Sequence, residues 1–172
     1  MPEHATWLLT FRTYGSWLPG DARGWVQHGL IGHGAPLGTP APALERHAAG
    51  LMVAPACIFG TSERAVVDAA IRATCDFKRW KLHALAVRTN HVHAVVAIDV
   101  APERSVAVLK AWATRGLRDA GGDGPVWARH GSTRRLPREA DVAAAIRYTL
   151  EGQDMPRSQD RQAPVEGAVD DS

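Results

Sequence analysis

The 172-residue chain is short of several things that would have decided its class at once. It has no apolar run near the ~20 residues that a membrane-spanning helix needs. Its first residues, Met1 to Thr10, lack the basic-then-apolar layout of a secretory signal. It has two cysteines only, Cys57 and Cys75, neither CxxC-spaced nor part of a larger set. A disulfide framework is therefore not expected, and the pair reads as reduced, core-filling thiols in a cytosolic protein with no membrane partner. Tyrosine is scarce too, with Tyr14 and Tyr148 alone. Neither sign of charge dominates, at a formal net charge of +2. That total hides a split: from Asp154 onward five acids face two bases, which leaves the body at +5. The body's bias is compatible with a nucleic-acid partner without specifying one.

What is present is an ordinary globular composition, 45% apolar and 22% charged, in a chain long enough for one domain with a full core. Thr6 to Tyr14 alternates, with Trp7, Leu9 and Phe11 on one face and Thr10 and Arg12 on the other, and reads as a first strand. Residues 22 to 55 are rich in Gly and Pro and hold one short helical stretch, Ala43 to Val53. They form a loop-rich insertion in which His28, His33 and His47 are scattered without ligand spacing. A helix follows from Thr61 or Ser62 to about Trp80, with an expected buried stripe of Val66, Ala70, Ala73, Phe77 and Trp80.

Leu82 to Arg88 and His91 to Ile98 are separated by Thr89-Asn90 alone, so they form an antiparallel hairpin. Pro102 opens a second long helix with the stripe Val106, Leu109, Ala113 and Leu117. Val126 to Leu136 is a fourth extended segment, with Arg129, Arg134, Arg135 and Arg138 in or beside it. A last helix from about Arg138 to Glu151 has an apolar face of Val142, Ala145, Ile146, Thr149 and Leu150. Tyr148 is two residues from Ile146, about 200° round the helix, and so points off that face. Beyond Gln153, residues 154–172 have the composition of a disordered acidic tail. The order of elements is βαββαβ with an added C-terminal helix. This is an α+β, ferredoxin-like arrangement with a four-stranded antiparallel sheet, occupying residues 1–153. Both intervening helices are expected on one sheet face, leaving the other open.

The chemistry centres on His91-Val92-His93. Alternation puts both imidazoles on one strand face, opposite Val92, Ala94, Val96 and Ile98. Both rings can be satisfied by neighbours at the sheet surface, or they can bind a metal together with at least one further ligand. A histidine-triad hydrolase would need a third histidine where Val95 stands, and zinc metallopeptidases place theirs four apart on a helix. Neither fits. A tyrosine near such a metal can attack phosphorus and conserve the phosphodiester energy in a covalent link. Trp17, Trp25 and Trp127 could stack on unpaired bases, although packing is the expected role of each.

Taken together, Thr10–Asp21 (TFRTYGSWLPGD), Asn90-His91-Val92-His93, Val126–Arg134 (VWARHGSTR) and Ile146–Gln153 (IRYTLEGQ) resemble the single-tyrosine HUH transposases, and more narrowly their REP-associated branch. The resemblance implies single-stranded DNA cleavage and strand transfer on hairpin or repeat DNA, through a 5′-phosphotyrosine at Tyr148. It implies a divalent metal, Mg or Mn, on His91 and His93. The third ligand in such enzymes is a Gln or Asn one helical turn after the tyrosine. Here that place is Gly152, so Gln153, one position later, and Glu151, one position earlier, are the candidates. Arg12, Arg129, Arg134 and Arg135 are candidate DNA contacts. A nucleoid-associated protein in a prokaryotic cytoplasm follows from the same likeness, as a monomer or a homodimer. The alternative is a domesticated, non-catalytic module that binds structured nucleic acid.

Overall fold

Four alternating segments build one sheet in the computed structural model, which describes residues 4–25 and 37–151. The strands are β1 (Ala5–Thr13), β2 (Lys81–Val87), β3 (His91–Ile98) and β4 (Trp127–Arg135), in the spatial order β2-β3-β1-β4 with every neighbouring pair antiparallel. The helices are α1 (Pro42–Gly50), α2 (Thr61–Lys78), α3 (Pro102–Asp119) and α4 (Glu139–Glu151). This is the expected α+β, ferredoxin-like arrangement with its insertion after β1 and its extra C-terminal helix. His28, His33, Gln153 and the acidic segment lie outside the described residues.

The core forms where the apolar faces of β1 and β3 meet α2 and α3. Leu9 and Phe11 of β1 and Val92, Ala94, Val96 and Ile98 of β3 pack with Val67, Ile71 and Cys75 of α2. Val106, Leu109, Ala113 and Leu117 of α3 complete the cluster. Burying side chains of this size contributes roughly 1.5–3 kcal/mol each before the entropic cost of ordering them. The α3 stripe is as expected.

The α2 stripe is not. Its buried residues are Val67, Ile71, Thr74 and Cys75, one position round from the expected set; Ala73 is exposed and Phe77 is 79% exposed, while Trp80, just past the helix, is buried as expected. The cause is that α2 has two neighbours. Val67 and Ile71 face the sheet, while Val66 and Ala70 lie against Gly116 of α3, where an added Cβ would come within 3.2 Å and 3.6 Å of their side chains. Thr74 tolerates burial because its hydroxyl donates to Ala70 O at 2.7 Å.

The second sheet face is also less open than expected. α4 packs across β2 and β3, and Ala145, Val142 and Ile146 join Ala84, Val95, Leu136 and Leu8 in a smaller apolar cluster. Leu150, expected on this apolar face, is 55% exposed, because the packed edge of α4 runs through Val142, Ala145, Ile146 and Thr149. The cover is partial, and it ends beside the histidines.

Trp127 anchors the start of β4. Its ring meets Phe11 and Phe59 edge-on, at centroid separations of 5.1 and 5.5 Å, and its indole N–H donates to Lys110 O and Thr114 Oγ1. Packing, rather than base stacking, therefore occupies this tryptophan. The β1–β4 register shifts between Phe11 and Thr13. There the half-buried Lys110 ammonium donates to Ala128 O at 2.8 Å and His130 O at 3.3 Å, giving irregular β4 carbonyls a partner.

Candidate active site

β3 is a central strand, and its pleat delivers the histidine pair. Val92 and Ala94 are fully buried on the α2–α3 side, which forces His91 and His93 to the α4 side. There the two rings stand edge-on, with centroids 4.9 Å apart and planes at 83°. His93 is 7% exposed, and His91 is half-buried. Antiparallel register sets Thr10 beside His93 and Arg12 beside His91. The Thr10 hydroxyl lies 2.8 Å from His93 Nδ1, and Asn90 Oδ1 lies 2.7 Å from His91 Nδ1.

Tyr148 completes the cluster from α4. Its neighbours Ala145 and Thr149 are buried against the sheet, and Tyr148 turns to the edge of that contact, 42% exposed. Its ring meets His93 edge-on at 5.5 Å and 83°. The other tyrosine has a different job: the Tyr14 hydroxyl accepts the Val53 N–H at 2.9 Å and ties the segment before α2 to the end of β1.

Beside His91 the surface is cationic and aromatic. The Arg12 guanidinium stacks 4.1 Å over the Trp17 ring, and the Trp17 N–H donates to Gly24 O at 2.6 Å. Asp21 anchors the following turn. It accepts from the Arg23 backbone N–H and from Nε, each at 2.8 Å, while another guanidinium nitrogen reaches Ser16 O at 3.1 Å. The Arg23 side-chain bond outweighs the cost of burial, and with a smaller pull from Arg12 it draws the Asp21 carboxyl down to about 2. Trp25 is held by its own N–H to Thr39 O at 3.0 Å.

The remaining candidates divide. Arg134 pairs with Leu8 and shares the histidine face. Arg135 pairs with Trp7, on the opposite face. Arg129 lines a cleft of about 190 Å³ against α3, with Glu103, Val106, Lys110 and Thr133, so it too lies across the sheet from His91. All three are exposed. Glu151 is the last residue of α4 and exposed. Among the described residues no third His, Cys, Asp or Glu gathers with His91 and His93, and Gln153 lies outside them.

Residue chemistry fits a metal held in part by this pair. Two imidazoles share one surface, each with Nδ1 already in a hydrogen bond, which is how histidine ligands are commonly held. The two oxygen atoms that make those bonds were not legible as site groups. Asn90 stood in the motif, but Thr10 is 83 residues from His93 and needs the strand register to be found.

Cys75 is buried, which pushes its thiol up to about 11, and Cys57 is half-buried. Both are free thiols that belong to packing rather than to the site. Among the described residues no helix is long and apolar enough to cross a membrane.

No protein-family model matches the chain, and no curated protein does. Seven chains of solved structures match. One is a REP-associated tyrosine transposase bound to a REP hairpin, at 11% identity and a TM-score of 0.48, over 86% of this chain and 65% of that one. The chain thus spans less than two thirds of that structure's length.

Proposed function

We propose that the protein cleaves and rejoins single-stranded DNA, using Tyr148 as nucleophile beside a divalent metal held by His91 and His93. The observation that carries this reading is the convergence of those three side chains from two elements, with ring separations of 4.9 and 5.5 Å. A tyrosine edge-on to a paired-histidine site, at a half-exposed surface with Arg12 alongside, suits attack on a phosphodiester.

The Tyr148 phenol oxygen attacks phosphorus and loses its proton to solvent. The bond from phosphorus to the 3′-oxygen breaks, and that oxygen takes up a proton as a free 3′-OH. The DNA then hangs from Tyr148 by its 5′-phosphate. In the second step a 3′-OH attacks the same phosphorus, the bond to Tyr148 breaks, and the phenol regains its proton. Strands are joined with no net loss of phosphodiester bonds. Mg or Mn, when bound, supplies polarisation of the phosphate oxygens and screening of the charge that develops there. His91 and His93 would hold it, with Gln153 or Glu151 as the further ligand. Arg12 and Arg134 on the same face would steady the DNA backbone, with Arg129 and Arg135 available to a strand that wraps round β4.

Hairpin or repeat DNA is the proposed substrate, on the sequence resemblance, and a homodimer is one assembly compatible with it. The test is incubation of the full chain with single-stranded hairpin oligonucleotides and Mn, followed by a denaturing gel. A shifted covalent band that disappears in Tyr148→Phe is expected. No band across varied hairpins and metals would overturn the reading.

A further inference from the structure

Two uncharged side chains each contact one of the paired histidines at Nδ1. We propose that Thr10 and Asn90 are positioning residues that set the tautomer of His93 and His91, so that both rings present Nε2 as the donor nitrogen. The inference rests on the proposed metal site but makes its own claim about the rings.

The geometry is specific. Asn90 Oδ1 lies 2.7 Å from His91 Nδ1. An amide oxygen can only accept, so the His91 proton sits on Nδ1 and the lone pair on Nε2. Thr10 Oγ1 lies 2.8 Å from His93 Nδ1 and, as a hydroxyl, can accept there in the same sense. Each partner is itself held by the fold. Thr10 is locked between His93 on β3 and Ser132 on β4 by the ladder register. The Asn90 carbonyl receives the Thr13 N–H at 2.9 Å and the Thr13 hydroxyl at 3.1 Å, which fixes the turn from which its side chain reaches His91. Thr13 is fully buried, so the support beneath Asn90 is rigid.

The arrangement makes an ordering of roles that packing alone does not require. Val in place of Thr10 keeps the shape and removes the acceptor; Ser keeps the acceptor and removes the methyl. At Asn90, Ala removes the acceptor and Asp keeps it. Neither residue is among those whose backbone has positive φ, so these changes do not strain the chain.

The test is nitrogen-15 NMR of the histidine rings in the full chain above pH 8, where ordinary imidazoles are neutral, together with Mn affinity by electron paramagnetic resonance. The wild type is expected to show the Nδ1–H form at both residues. Thr10→Val should release His93 and Asn90→Ala should release His91, each lowering Mn affinity by about 10-fold or more, with Thr10→Ser and Asn90→Asp restoring both signals. An Nε2–H form in the wild type would overturn the proposal. So would ring spectra in Thr10→Val and Asn90→Ala that match the wild type. Failure of the strand-transfer reading is a separate observation, namely no covalent adduct at Tyr148 whatever the ring tautomers are.

Discussion

Tyr148 on α4 and His93 on β3 meet edge-on, with ring centroids 5.5 Å apart, although one element is the last helix and the other a central strand. The contact follows from how α4 seats. Ala145 and Thr149 are drawn into the sheet, and the intervening Tyr148 is carried to the rim beside the histidine pair. The cluster is therefore as well placed as the α4–sheet packing is stable.

The two histidines should respond differently to removal. His93 is 7% exposed and holds the Thr10 hydroxyl, whereas His91 is half-buried. His93→Ala is expected to destabilise the fold by about 1–2 kcal/mol, and the less buried His91→Ala by less. Both should abolish metal-dependent DNA cleavage. Urea denaturation beside a cleavage assay checks this, and equal stability losses would contradict the burial difference.

Lys110 should prove structural although it is cationic. Burial pulls its ammonium below the ordinary lysine range, and it donates to the carbonyls of Ala128 and His130. Lys110→Met leaves those acceptors without this donor and should cost about 1–3 kcal/mol. An unchanged denaturation midpoint would show that water replaces the ammonium without loss.

Leu9 is fully buried between the two long helices and the sheet. Leu9→Ala is expected to cost about 2–5 kcal/mol in chemical denaturation, as buried leucines do when a cavity remains. A loss below about 1 kcal/mol would mean that the layer can collapse around the gap.

Asp21 gives the fold an acid limit. Its carboxyl stands at about 2 against an ordinary 3.8, chiefly through Arg23. A lowered carboxylate contributes stability that is fully present above the unfolded value and is lost as pH falls through the folded one. The stability difference between wild type and Asp21→Asn should therefore be constant above about pH 5, shrink between about 4 and 2, and vanish below that. A difference that persists at pH 2 would show that shape, not charge, makes the contribution.

Much of this molecule was legible in its sequence, for identifiable reasons. α3 has one apolar face, and the side of β3 toward α2 and α3 is an unbroken apolar row, so helical period and alternation name Val106, Leu109, Val92 and Ala94. The histidine face follows from the same alternation. α2 misleads because it meets both the sheet and α3, so two adjacent stripes are apolar, and Thr74 enters the core by bonding Ala70 O. The faces of Arg134 and Arg135 depend on pairing with β1, and Arg129 lies in a register shift that no local pattern announces. Thr10 was hidden for a related reason: its partner is a strand neighbour far away in sequence.

The most direct measurement is to locate the DNA-linked residue. The full chain is reacted with a hairpin oligonucleotide and Mn, digested with nuclease and protease, and mapped by mass spectrometry. A nucleotide 5′-phosphate on the peptide carrying Tyr148, absent without metal, is the expected result. A modification on Tyr14, or on no tyrosine while cleavage proceeds, would contradict the assignment of Tyr148 as the nucleophile.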